Sequence, residues 1–317
     1  MSLLIMLITA AFSAPPDDSR NIPPAPIPFF VDLPLAHGFR LSAVRSSLSP
    51  VEIGAILVAD AGQSPQWRLA QWGTRFSLES VRENVLPDGT RLMENEGKRV
   101  KILPGGLDGE GVWLEVRGGA EYGGRMRAYG ESWPHLLIEQ QLEPRPFHEF
   151  SSLAFRVSFC VEKCEAATEQ PLDNGLHTAH INAFWTVHNM NPDSADYRNM
   201  IWFGLPLYDV RYPIPPGHQA LDKGQADATD KFIYTVEGKR FFEKPVLPGQ
   251  WYVLSCDMLP LLREALEAAQ LRGFMTRTRF EDIAATSFNL GWEAPGPYDC
   301  AITLRSLKLY GLEKTVR

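Results

Sequence analysis

The chain has 317 residues, a net charge of −7 and a pI near 5.6, a balance that argues against non-specific nucleic-acid binding, which wants a basic face. Apolar residues make up 44% and aromatics 11%, enough for the core of one large all-β domain or two ordinary ones. There is no run of like charges and no basic helix suited to a membrane surface.

The first residues read MSLLIMLITAAFSAPPDDSR. Leu3 to Phe12 form an apolar run too short for a membrane span of roughly 20 residues. With Ser13-Ala14 behind it, residues 1–14 resemble a secretory signal, which predicts a secreted or periplasmic protein. No Lys or Arg precedes the run and Pro15 would follow the cut, so a buried N-terminal strand is the alternative. Residues 15–28 read as an extended Pro-rich linker.

Ile53 to Ala59 is a continuous apolar run, either a buried strand or a short helical turn. Trp67 to Phe76 reads as a strand with a Gly kink, and Val85 to Thr90 as a turn. Arg99 to Leu103 is a short strand stopped by Pro104-Gly105-Gly106, and Val112 to Arg117 alternates with Val112, Leu114 and Val116 inward. A Gly-rich loop then feeds His135 to Leu142, where His135, Glu139 and Gln141 share the face opposite Leu136 and Ile138. Leu153 to Val161 turns Leu153, Phe155, Val157, Phe159 and Val161 into the core.

The stretch from Leu176 to Pro216 holds three of the seven histidines and two of the eight tryptophans. It reads as two strands and a polar turn. In the first, Ile181, Ala183, Trp185 and Val187 face the core, and His180, Asn182, Thr186 and His188 face away, with Phe184 among them. In the second, Ile201, Phe203, Leu205 and Leu207 face the core, and Met200, Trp202 and Tyr208 face away. The Asp-rich run from Gly217 to Lys231 reads as a long loop, followed by strands at Phe232 to Val236 and Trp251 to Cys256. One helix follows, capped by Asp257, with Pro260 in its first turn, Gly273 past its end and a stripe of Leu262, Ala265, Leu266 and Ala269. In Ser287 to Glu293, Phe288, Leu290 and Trp292 are core, and Asn289 and Glu293 are on the polar side. The last strand is Ala301 to Leu309. Roughly ten to fourteen short strands, one helix and regular turn signals predict an all-β, two-sheet β-sandwich of jelly-roll or concanavalin A-like type, a single domain over residues 29–312.

Four cysteines occur, Cys160, Cys164, Cys256 and Cys300, and none forms Cys-x-x-Cys, which disfavours zinc and thioredoxin-like chemistry. Cys160 with Cys164, and Cys256 with Cys300, could pair, or all four could be thiols.

The predicted sheet gathers His135, Glu139, His180, Asn182, His188, Trp202, Tyr208, Asn289 and Glu293 on one face. Flat aromatic faces stack on sugar rings, while amides, carboxylates and imidazoles bond hydroxyls, so this mixture points to a poly- or oligosaccharide partner. Glu139 and Glu293 are the carboxylate pair that hydrolysis would use. Elimination would use His135, His180 or His188 with Tyr208, Arg125 or Arg211, although Arg211 could instead pair with Asp209. His180 and His188 lie roughly 27 Å apart on one strand and cannot share a metal. No cofactor, metal, nucleic acid or membrane span is expected.

Met200-Ile201-Trp202 resembles the Met-Ile-Trp of small concanavalin-like endoglucanases, whose nucleophilic glutamate lies just upstream. Here Tyr197-Arg198-Asn199 stands in its place, so the resemblance implies the fold without that activity. The strand Ala301 to Leu309, after Gly291 to Gly296, is similar to the closing strand of jelly-roll carbohydrate-binding modules. Arg305-Ser306 replaces the aspartate that holds a calcium in many of them. From Trp67 on, the chain resembles secreted bacterial sandwich proteins. Together these imply a secreted carbohydrate-binding protein using a concave sheet face. The alternatives are a glycan-active enzyme of the same fold, hydrolase or lyase, and a structural surface-assembly domain.

Overall fold

The computed structural model describes residues 25–47, 50–59, 62–223 and 228–314. The signal-like segment at 1–14 lies outside the described residues, as does the first part of the Pro-rich stretch. Two sheets stack face to face as a β-sandwich. The back sheet runs, in spatial order, β15 (Trp251–Asp257), β10 (Phe150–Ala166), β17 (Tyr298–Glu313), β8 (Val112–Arg117), β7 (Lys98–Ile102), β6 (Arg91–Glu94) and β5 (Asn84–Val85), with β1 (Ile27–Pro28) added beside β17. The front sheet runs β13 (His218–Leu221), β14 (Phe232–Thr235), β12 (Met200–Asp209), β11 (His180–Asn189), β16 (Ile283–Glu293), β9 (His135–Gln141), β4 (Trp67–Ala70), β2 (Phe39–Ser42) and β3 (Glu52–Ile56).

Alternation explains the stacking. Ile181, Ala183, Trp185 and Val187 of β11, Ile201, Phe203, Leu205 and Leu207 of β12, and Phe288, Leu290 and Trp292 of β16 are all buried. They meet Phe155, Val157 and Phe159 of β10 across the core. Trp185 stands perpendicular to Phe155 of the opposite sheet at 4.8 Å and tilts against Phe288 at 5.0 Å. Burial of each such side chain contributes about 1.5–3 kcal/mol. The helix α2 (Met258–Leu271) begins where the Asp257 carboxylate accepts from the Leu259 amide at 3.1 Å. Its stripe of Leu262, Ala265, Leu266 and Ala269 is buried, and it closes the sandwich along β10, β12 and β14.

Several elements depart from the sequence expectation. The described residues hold seventeen strands rather than ten to fourteen. Ile53 to Ala59 is neither a buried strand nor a helical turn: β3 is an exposed edge strand in which only Ile56 is buried, because it has a neighbour on one side alone. The Asp-rich run contains β13, which pairs with β14, so part of the expected loop extends the front sheet. Tyr208 does not face away from the core with Trp202. A bulge between Ile181 and Asn182 shifts the register, so Tyr208 pairs with Ile181 and its ring meets the core residue Trp292 at 6.1 Å. Cys164 lies opposite Cys300 and Cys256 opposite Phe155, so neither expected cysteine pairing is in register, and all four are free thiols.

Two local features fix the floor and wall of the site described below. Gly291 of β16 passes so close to β9 that an added Cβ would lie 2.2 Å from the Leu136 carbonyl oxygen. Gly291→Ala is therefore expected to cost about 3 kcal/mol, at the top of the overpacking range; a urea midpoint unchanged from wild type would contradict this. The second feature is a buried polar knot. The fully buried Lys98 donates to Thr74 Oγ1 at 2.6 Å and to the Phe76 carbonyl, and lies 3.9 Å from Glu121 Oε1. Glu121, at the end of α1 (Gly118–Glu121), accepts from Thr74 Oγ1 and from the Arg75 amide at 2.8 Å. The knot pins the loop that follows Trp72.

Candidate functional site

The outer face of the front sheet carries a cleft of about 600 Å³. Its floor is a single row of side chains that begins at Trp72, in the turn after β4, and runs across four strands. The His135 amide donates to the Trp72 carbonyl at 2.8 Å, His135 pairs with Glu293, Glu293 with His180, and His180 with Asp209. Directly paired residues point to the same face, and neighbouring strands are about 4.8 Å apart, so the row from His135 to Asp209 is roughly 14 Å long.

Glu293 is its centre. The same carboxylate oxygen, Oε2, lies 3.5 Å from His135 Nε2 and 3.6 Å from His180 Nε2. Burial alone would raise the Glu293 carboxyl, but the charge of His180 and the bonds from both imidazoles outweigh it and hold the group well below its ordinary 4.5. Burial likewise favours neutral His180, and Glu293 overcomes it, so His180 is raised above its ordinary 6.5. His135 Nδ1 lies 3.1 Å from the Trp133 carbonyl oxygen. Only a protonated nitrogen can bond a carbonyl, so Nδ1–H donates there and Nε2 is the atom turned toward Glu293. The ring is held between Trp133, stacked at 5.7 Å, and Trp72, edge-on at 6.0 Å. Nδ1 of His180 is buried with no hydrogen-bond partner among the described residues.

At the far end of the row Asp209 grips Arg211 through two bonds of 2.9 and 2.6 Å and accepts from Thr178 Oγ1 at 3.0 Å. Burial raises its carboxyl, but Arg211 and then His180 lower it more. His218 of β13 also lines the cleft; burial, then the charges of His180 and Arg211, lower its imidazole. Above the row the floor is flat: Pro206, Asn182, Gly291 and Leu137 follow one another across four strands. Pro206, which donates no backbone hydrogen, is tolerated in a central strand because it sits at the bulge. The upper wall is Trp202, edge-on to Phe184 at 6.3 Å. Its Nε1 donates to Thr229 Oγ1 at 3.0 Å, and Thr229 in turn bonds Asp222.

Of the residues singled out from sequence, His135, His180, Asn182, Trp202, Tyr208, Arg211, Asn289 and Glu293 line the cleft, Tyr208 with its ring turned to the core. His188 and Glu139 are not among the lining residues. His188 sits at the other end of β11, bonded to Thr286 Oγ1 at 2.8 Å. Glu139 pairs in register with Asn289, four residues from Glu293, roughly 13 Å along the strand. It is buried against Arg68 with a 2.7 Å bond, and burial raises its carboxyl despite that partner. The structure therefore does not bring Glu139 and Glu293 together as a carboxylate pair. Arg125 bonds Glu131 at the surface. Two contributors, Trp72 and His218, escaped notice, and Asp209 was named only as an ion-pair partner of Arg211, a pair the structure contains. Trp72 has the parity of Arg68 and could have been found by continuing the alternation of β4. The place of Asp209 in the row became readable only with the β11–β12 register, and His218 was hidden in a run taken for a loop.

No family model and no curated protein matches the chain. Solved structures similar to it include a family 11 xylanase from Neocallimastix patriciarum, with 8% identity, a TM-score of 0.34, and 73% of this chain and 95% of that one covered. A metagenome-derived glycoside hydrolase family 12 endoglucanase gives 10% identity and a TM-score of 0.36 over 74% and 96% of the two chains. A family 12 xyloglucanase from Bacillus licheniformis gives 9% and 0.36 over 72% and 96%. Scores of this size carry none of those enzymes' chemistry to this chain, whose Met200-Ile201-Trp202 opens β12 without the upstream glutamate. No helix among the described residues is long and apolar enough to cross a membrane.

Proposed function

We propose that the cleft takes a poly- or oligosaccharide chain and acts on it by proton transfer, with Glu293 and its two flanking imidazoles as the acid–base unit. The observation that carries this is the shared Glu293 oxygen between His135 and His180 at the floor of an aromatic-walled cleft. A site for binding alone is served by amides and ring faces. A half-buried carboxylate between two titratable rings is an arrangement for handling protons. Trp72, Trp202 and Tyr212 offer faces for sugar rings, and Asn182 and Asn289 offer amides for hydroxyls. The signal-like segment supports a secreted or periplasmic setting, where such chains are met.

The side chains favour β-elimination over hydrolysis. Hydrolysis by two carboxyls needs them about 5–5.5 or 6.5–9.5 Å apart, and Glu139 is held by Arg68 outside the lining. Elimination needs a base for the sugar C–H proton, an acid for the departing oxygen and a cation beside the sugar carboxylate. His135, when neutral with its proton on Nδ1, serves as base through the Nε2 lone pair, the His180 imidazolium as acid and Arg211 as cation. Glu293 stays ionised, accepts from the His180 imidazolium, and accepts from His135 Nε2–H once that nitrogen has taken the proton. Binding without turnover is the second reading, favoured by the two hydrogen bonds that Arg211 donates to Asp209, which already neutralises that cation.

Incubation with uronate-containing and neutral polysaccharides separates these outcomes. Ultraviolet absorbance from a new carbon–carbon double bond, together with new reducing ends, is the expected result. Reducing ends alone indicate hydrolysis, and retarded electrophoretic migration without either indicates binding alone. No effect on any polysaccharide sinks the proposal.

A further inference from the structure

Cys164 of β10 and Cys300 of β17 are direct partners across an antiparallel ladder. Such partners point to the same face with Cα atoms about 4.5–5.5 Å apart, inside the window of about 4.4–6.8 Å that a disulfide requires. Cys300 is buried and Cys164 is half-buried. Both the Cys300 thiol and the Tyr208 hydroxyl have the Cys164 thiol as a hydrogen-bond neighbour. The other two cysteines lack this relation: Cys160 faces Trp251 and Thr303, and Cys256 faces Phe155.

We propose that Cys164 and Cys300 are a dithiol site that closes to a cross-strand disulfide in an oxidising compartment, with Cys164 as the entry thiol. The oxidant is a small-molecule or protein disulfide. The Cys164 thiolate attacks one of its sulfurs, forming a mixed disulfide and releasing one thiol. The Cys300 sulfur then attacks Cys164 Sγ, forming the Cys164–Cys300 bond and releasing the second thiol. The two protons of the pair leave with the two thiols, and the oxidant takes up the two electrons. The closed loop would contain β11, β12, the helix α2 and β16, so the bond would tie the strands that carry His180 and Glu293 into one covalent ring.

The test treats the whole protein with glutathione disulfide, blocks the remaining thiols and maps peptides without reduction. A Cys164–Cys300 peptide is expected, with Cys160 and Cys256 alkylated, and the thermal midpoint is expected to rise by about 5 °C. Cys300→Ala should lose the rise and Cys160→Ala should keep it. Alkylation of all four thiols after oxidation, or a link between any other pair, overturns the proposal, and the wild-type map decides this even if a variant fails to fold.

Discussion

Glu293→Gln is expected to lower kcat/KM on the cleaved polysaccharide by about 10²–10⁴ while leaving the far-ultraviolet spectrum unchanged. The amide keeps the shape but removes the charge that holds His180 protonated and His135 in place. The pH dependence gives an independent check. Glu293 is depressed in the folded chain, so its contribution to stability is present above about 4.5 and is lost as pH falls through its folded value. His180 is raised, so its contribution is present below about 6.5 and is lost as pH rises through its folded value. The charged unit is therefore intact from the folded value of Glu293, well below 4.5, up to the folded value of His180, above 6.5. In Glu293→Gln the alkaline limb of a stability profile should flatten, and an NMR titration should find His180 shifted down. A variant with wild-type turnover and an unmoved His180 would remove Glu293 from the chemistry.

Lys98→Ala is expected to destabilise the protein by about 3–5 kcal/mol, because it strands the Glu121 carboxylate in the interior. Lys98→Met combined with Glu121→Gln should recover most of the loss, since the buried charges disappear together. Burial, opposed by Glu121, lowers the Lys98 ammonium to about 8. Wild-type stability should accordingly rise between about 8 and its ordinary 10.5, where the unfolded chain binds the extra proton. Guanidinium unfolding at several pH values measures all three effects. A single-variant cost below about 1 kcal/mol would show that the knot is not the clamp described. Because Thr74 and Phe76 belong to the knot, Lys98→Ala should also loosen Trp72, read as weaker glycan affinity.

The strands with the cleanest alternation were legible because a half-buried sheet imposes period two on the residues that must avoid water. β10, β11, β12 and β16 fell out this way, and so did α2 through its Asp257 cap. What resisted was register, which depends on bulges and on partners distant in sequence. One bulge at Ile181 was enough to turn Tyr208 from the outer face to the core. Parity placed His135, His180 and Glu293 on one face but left Glu139 and His188 on it too, since parity does not say how far along a strand a residue sits. Only pairing distinguished the row that meets from the residues four or eight positions away. The edge strands β3 and β13 were also obscure, because a strand with one neighbour buries little and carries a weak hydrophobic signal.

The row from His135 to Asp209 lies across four paired strands, so its pitch is set by the hydrogen-bond ladder itself. No hinge separates one member from the next, and loop motion cannot stretch or compress it. The walls differ: Tyr212, Pro215 and Pro216 sit on a connecting segment, and His218 on an edge strand. The molecule thus separates a stiff ruler of ionisable groups from a replaceable rim. Grafting a different rim between Arg211 and Gly217, with Arg211 itself kept, should change which chains enter while the titration behaviour of the row beneath stays as it is.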